Sequence, residues 1–230
     1  MRTRERGPEL RVRSTETQQN TDPNQPPGSI EGQVLFQGEH RKWPPRGGQM
    51  TDVVVYLKGN NPGRAPTNKV LPESIEVDAG ADDKAGPAVL DQFDMTFVPH
   101  IVMMQQGGTL ELRNSDSPLH NVNGIATVNQ AFNVALPPGA TTRVVLPRHE
   151  FIRVICNFHS RMTAWVAVMP NRFFTKTNEQ SRFTLNNIPP GEYELAGWHE
   201  NVYPPYSPHR VSMDVIVQSG QTTVLELDFP

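Results

Sequence analysis

The chain has 230 residues, with 21 Lys+Arg against 24 Asp+Glu and a formal net charge of −3. At roughly 100–200 residues per domain, this length suits one large domain or two small ones. The near-neutral charge argues against a nucleic-acid partner, no run reaches the roughly 18 apolar residues of a transmembrane segment, and a single Cys excludes a disulfide scaffold.

Residues 1–29 carry only three apolar side chains, Met1, Leu10 and Val12. Such a segment cannot bury enough surface to offset its ordering entropy, so residues 1–27 are expected to be a disordered tail. Its first 13 residues hold five Arg and two Glu, read as a solvated charge patch. No apolar stretch of roughly 7–15 residues follows these arginines, so the segment is not a secretory signal as it stands. Either the chain stays inside, or its export signal is not part of this sequence.

From Gly28 onward the texture changes to short β-rich runs broken by Gly, Pro and Asn. Strands are expected over 30–36, 53–57, 95–104, 109–113, 142–146, 151–156 and 164–168. Further strands are expected over 182–185, 192–196, 211–217 and 222–227. Period-two or continuous β-rich runs at this spacing predict an all-β chain built as an antiparallel sandwich or barrel. Segments 72–86 and 178–182 leave room for a short helix.

The chemistry concentrates in Cys156-Asn157-Phe158-His159-Ser160-Arg161-Met162. A thiolate, an imidazole and a thioether fall within seven residues, between two expected strands. A second histidine, His120, stands upstream in Leu119-His120-Asn121-Val122. Two His, one Cys and a weak axial Met form the ligand set of a blue, or type 1, copper site. Thiolate and thioether favour Cu(I), and imidazole suits both oxidation states.

These residues carry a family resemblance. Residues 67–169 resemble a cupredoxin of the plastocyanin and amicyanin type. The C-x-x-H-x-x-M spacing is similar to the short ligand loop of amicyanin, and His120-Asn121-Val122 to the first-ligand segment of plastocyanins and amicyanins. The whole of 28–230 resembles bacterial plastocyanin-like or methylamine-utilisation proteins, through the copper loop and Pro189-Pro190-Gly191-Glu192-Tyr193. The resemblance implies one copper per chain, held by His120, Cys156 and His159 with Met162 axial, and Asn121 bonded across to the ligand loop. It also implies electron transport with a protein redox partner, in the periplasm or elsewhere outside the cytoplasm. Phe158 and Ser160 depart from the prolines that flank the second His in amicyanin-type loops. Residues 28–66 and 170–230 resemble the transthyretin-like sandwich of carboxypeptidase regulatory domains. The expected organisation is a cupredoxin inserted into that split sandwich.

Other readings stand beside these. A lone Cys in a strand usually serves as a small buried hydrophobe. Zinc would use Cys and His but not Met. A Cys–His nucleophile needs an orienting third group, which nothing in the sequence marks. Cys156 is flanked by Ile155 and Asn157, so the His beside the type 1 Cys that serves multicopper oxidases and copper nitrite reductases is missing. The expected role is therefore an electron carrier and not an enzyme. The rival is a non-redox module that binds a partner or glycan, with a storage, delivery or vestigial metal site. His100 reads as a core histidine before a donor to a ligand. Trp165 reads as core before an electron relay. His199, Glu200 and His209 read as surface hydrogen-bonding groups before a second metal site.

Overall fold

The computed structural model describes residues 25–36, 52–58, 86–200 and 210–229. The expected tail, apart from residues 25–27, and most of segment 72–86 lie outside the described residues. Among the described residues the chain is all-β, with no helix; segment 178–182 is a turn closed by the Asn178 side chain on the Gln180 and Arg182 N–H groups.

In chain order the strands are β1 (Gly28–Phe36), β2 (Val54–Lys58), β3 (Ala88–Phe93), β4 (Thr96–Val98), β5 (Ile101–Gln105), β6 (Thr109–Asn114), β7 (His120–Ile125) and β8 (Phe132–Leu136). Then follow β9 (Thr141–Val145), β10 (Glu150–Ile155), β11 (Thr163–Met169), β12 (Phe174–Lys176), β13 (Arg182–Ile188), β14 (Gly191–Trp198), β15 (Arg210–Val217) and β16 (Thr222–Phe229). They form four sheets. Two use only the middle of the chain, in the orders β5-β11-β10-β7-β8 and β4-β3-β6-β9. Two use only the flanking segments, in the orders β13-β1-β16 and β12-β2-β14-β15.

The expected antiparallel pairing needs correction. β1 runs parallel to β16, β5 to β11 and β3 to β6. Each parallel pair is separated by a long connection, which parallel strands require and a hairpin cannot supply. The expected strand 95–104 is also two strands, because the chain turns at Pro99 between β4 and β5.

Three apolar clusters organise these sheets. The middle sheets enclose Leu90, Leu110, Leu112, Val122, Ile152, Val154, Ala164 and Val166, together with Cys156 and Met162. The flanking sheets enclose Ile30, Val55, Leu57, Phe183, Leu195, Leu227 and Phe229. A third cluster is the seam between the two, where Val54, Tyr56, Ala196 and Trp198 meet Ile101, Ala167 and Met169. β2 therefore contributes one face to a core and the other to the seam. That double burial explains its unbroken Val-Val-Val-Tyr-Leu run, since a strand buried on both faces has no solvent side to make polar.

Close approach explains Gly32 in β1. A Cβ there would lie 2.5 Å from the Phe183 ring and 2.8 Å from the Leu225 carbonyl. The bare backbone lets the aromatic ring cross the sheet and fill the core.

The loop after β7 is held by a buried carboxylate. Glu150 accepts the N–H groups of Thr127, Val128 and Asn129, the Thr127 hydroxyl and the Asn129 amide. Burial alone would push this carboxyl up, but the Asn129, Thr127 and Val128 N–H groups outweigh it and lower it to about 2. An ordinary glutamate takes up its proton near 4.5. The lowered value means that stability is present above about pH 4.5 and is lost as the pH falls towards 2. Glu150→Gln should cost about 2–3 kcal/mol at pH 7 and flatten the acid limb of stability. Urea unfolding at pH 7 and pH 3 checks this, and equal loss at both would refute it.

Candidate metal centre

The site is built by two strands and two turns. The first turn joins β6 to β7. Asn114 shapes it, donating from Nδ2 to the Pro118 and Leu136 carbonyls while Oδ1 accepts the Asp116 N–H. Short polar side chains that bond their own backbone favour such turns. The turn delivers His120 to the start of β7 with its side chain fully buried.

The second turn joins β10 to β11. The Cys156 N–H donates to the Met162 carbonyl at 3.1 Å, and the Met162 N–H donates to the His159 carbonyl at 3.0 Å. These bonds close the loop on itself. Cys156 and Met162 point into the apolar core, 3% and 2% exposed, while His159 is only half-buried. Phe158 beside it is 55% exposed. Asn121 ties the two turns together: its Oδ1 accepts the Asn157 N–H at 2.7 Å, and its Nδ2 donates to Asn133 Oδ1.

Three donor atoms converge. Cys156 Sγ lies 3.9 Å from His120 Nδ1 and 3.6 Å from His159 Nδ1, and the two Nδ1 atoms are 2.9 Å apart. The point equidistant from all three is about 2 Å from each, close to metal–imidazole lengths and slightly short of a metal–thiolate bond. Two imidazole lone pairs and a thiol aimed at one point, in a largely buried position, fit a cation. The donor set of two nitrogens and one sulfur fits copper. Met162, the expected fourth ligand, is buried in the same loop, in the same core cluster as Cys156.

Sequence reasoning missed what lies behind His120. Its outer nitrogen, Nε2, sits 2.9 Å from Asp116 Oδ2. A carboxylate there keeps the proton on Nε2 and leaves Nδ1 free to bind. Asp116 also accepts the N–H groups of Asp94 and Met95. Burial would push its carboxyl up, but the Met95 N–H, the His120 ring and the Asp94 N–H outweigh this and hold it below the usual range. The residue reads from sequence only as a turn former.

The other candidates resolve differently. Trp165 is partly buried against the seam. His100 is not a core residue: its side chain is 46% exposed. It pairs with Glu200 and bonds the Thr163 carbonyl. His199 is buried, and His209 lies outside the described residues. Among the described residues, His120, Cys156 and His159 form the one group that could hold a metal ion.

No family model matches the chain, and no curated protein matches it. Among solved structures it is similar to a copper-containing nitrite reductase from Thermus scotoductus SA-01, at 20% identity and a TM-score of 0.35 over 37% of this chain. That match spans 23% of the reductase. It is similar to a purple cupredoxin from Nitrosopumilus maritimus, at 21% identity and a TM-score of 0.32, over 36% of this chain and 99% of the cupredoxin. It is also similar to an oxidised proline-to-glycine mutant of amicyanin, at 21% identity and a TM-score of 0.34, over 39% of this chain and 88% of amicyanin.

Proposed function

We propose that this chain is a type 1 copper protein that carries single electrons between protein partners. The observation that carries the reading is the convergence of His120 Nδ1, Cys156 Sγ and His159 Nδ1 on one point. Copper bound there supplies a one-electron couple. The chain supplies a fixed donor set, so little rearrangement accompanies the change of charge. Asn121 holds the Cys156 loop against β7, and Asp116 holds the His120 ring in the metal-binding tautomer. Asp116→Asn should weaken copper binding by about 10–100-fold, as loss of a partner behind a ligand does. Competition against a chelator of known affinity checks this, and an unchanged constant would remove Asp116 from the site.

His159 is the half-buried ligand, and electrons pass through its edge, next to exposed Phe158. Residues 67–169 form a cupredoxin unit inserted into a split transthyretin-like sandwich made from 28–66 and 170–230. The strand pairing supports this division, because among the described residues no strand of one set pairs with a strand of the other. The site belongs outside the cytoplasm, where such carriers work.

Redox cycling tests the reading. The copper-loaded chain should take up one electron from ascorbate, return it to ferricyanide, and keep its copper through repeated cycles. Copper lost to a chelator on reduction, with no reversible cycle, would replace electron transfer by metal storage or delivery.

A further inference from the structure

The flanking sandwich reaches the ligand loop through one carboxylate. Glu200 follows β14 and belongs to the flanking segments. Its Oε1 lies 2.5 Å from His100 Nε2, and its Oε2 accepts the Trp165 indole N–H at 2.8 Å. Both partners belong to the middle of the chain. His100 Nδ1 in turn lies 3.1 Å from the Thr163 carbonyl, and the Trp165 backbone N–H donates to the His100 carbonyl at 2.9 Å. Thr163 is the residue after Met162.

The geometry fixes the roles. The Thr163 carbonyl can only accept, so His100 Nδ1 carries a proton. The ionised Glu200 carboxylate also only accepts, so Nε2 carries one too. His100 is thus held as an imidazolium between two acceptors. The Glu200 hydrogen bond raises its pKa against the cost of burial, and Asp52 acts in the same direction. Burial opposes ionisation of Glu200, but His100 and Trp165 outweigh it, with nearby His199 adding to them. The clasp is therefore charge-assisted, the stronger class of hydrogen bond. It pins the backbone on the Met162 side of the ligand loop, as Asn121 pins the Asn157 side.

We propose that Glu200 is a positioning residue for the copper loop, holding the Thr163 end of that loop through His100 and Trp165. The inference rests on the copper reading above. The axial ligand of a type 1 site is weak and distant, and it tunes the potential. A small displacement at Thr163 reaches that ligand first. The flanking sandwich then acts on the metal without touching it.

The test uses the full chain, metal-free and copper-loaded. Glu200→Ala removes the clasp, and Glu200→Gln keeps its shape without its charge, the amide oxygen accepting the Trp165 indole N–H and the amide NH2 donating to Nε2 of a neutral His100. Glu194→Ala is the control, because Glu194 is a flanking-sheet carboxylate paired with Lys58, away from the clasp. In the metal-free chain, Glu200→Ala should shift the amide resonances of Met162 and Thr163, and Glu194→Ala should not. In the loaded chain, Glu200→Ala should shift the intensity ratio of the two thiolate-to-copper bands and the midpoint potential, with Glu200→Gln restoring most of both. Unmoved amides and bands in folded Glu200→Ala, or in His100→Phe should Glu200→Ala not fold, would overturn the proposal. Equal shifts in Glu194→Ala would overturn it too, as a general loss of stability. If wild-type chain gives no copper band while Glu200→Ala still moves both amides, the copper reading fails and the clasp stands.

Discussion

Replacing Cys156 with alanine should abolish the thiolate-to-copper absorption of the loaded chain and leave the fold in place. Cys156 supplies the one sulfur of the donor triangle, and in the proposed type 1 site charge transfer from it would give the colour. Its thiol is 3% exposed within the middle core, and the loss of one sulfur atom from the core costs about 1 kcal/mol, by the scale of small core truncations. Cys156→Ser is the harsher variant, because a buried hydroxyl without a good partner costs about 1–3 kcal/mol. Copper should raise the melting temperature of the wild-type chain, with about 2.7 kcal/mol of stabilisation at free copper one hundred times Kd. Cys156→Ala should lose most of that gain. Visible titration with Cu(II) and thermal melts with and without copper check both halves. A variant that keeps the band would show that it is not thiolate-to-copper absorption, since the chain has no second Cys, and would remove Cys156 from the site.

Trp198→Ala should produce a large loss of stability. Trp198 is 3% exposed at the seam. Its ring stacks on Phe151 at 4.4 Å and meets Trp165 edge-on at 5.0 Å. Truncating a buried Trp costs about 3–5 kcal/mol, through lost transfer energy and the cavity left behind. The surrounding Val54, Tyr56, Ile101 and Met169 are fixed in three strands, β2, β5 and β11, and cannot all move in to fill it. Urea unfolding followed by far-ultraviolet circular dichroism reads the loss. The flanking strands should unfold first, because Trp198 belongs to them and the middle core stays whole. A loss below about 1 kcal/mol, within the range of surface substitutions and small repacking, would mean that the seam is loosely packed.

The parts of the fold legible in the sequence are those with a local cause. Alternation marked strands such as β16, where one face is covered and the other wet. The ligand loop was legible because its three donors lie within seven residues and the turn closes through its own backbone. β7 was not legible as a strand. It buries polar residues on both faces, His120 toward the site beside Val122 and Asn121 on the opposite face against Asn133 and the Asn157 N–H, so no alternation of apolar and polar marks it. Functional positions are where local rules break. The Val-Val-Val run of β2 announced burial but not what covers it; only the tertiary seam gives each face its neighbour. Parallel pairing leaves no trace in a period of two. The two residues behind the site were invisible for different reasons. Asp116 reaches His120 only because the turn between them folds back, and Glu200 meets His100 across 100 residues of chain.

X-ray absorption on the chain loaded with one equivalent of copper tests the central claim most directly. The geometry predicts a first shell of one short copper–sulfur and two copper–nitrogen distances, with the sulfur contribution lost in Cys156→Ala. A first shell of nitrogen and oxygen alone, unchanged by that substitution, would contradict the assignment of His120, Cys156 and His159 as the metal's ligands.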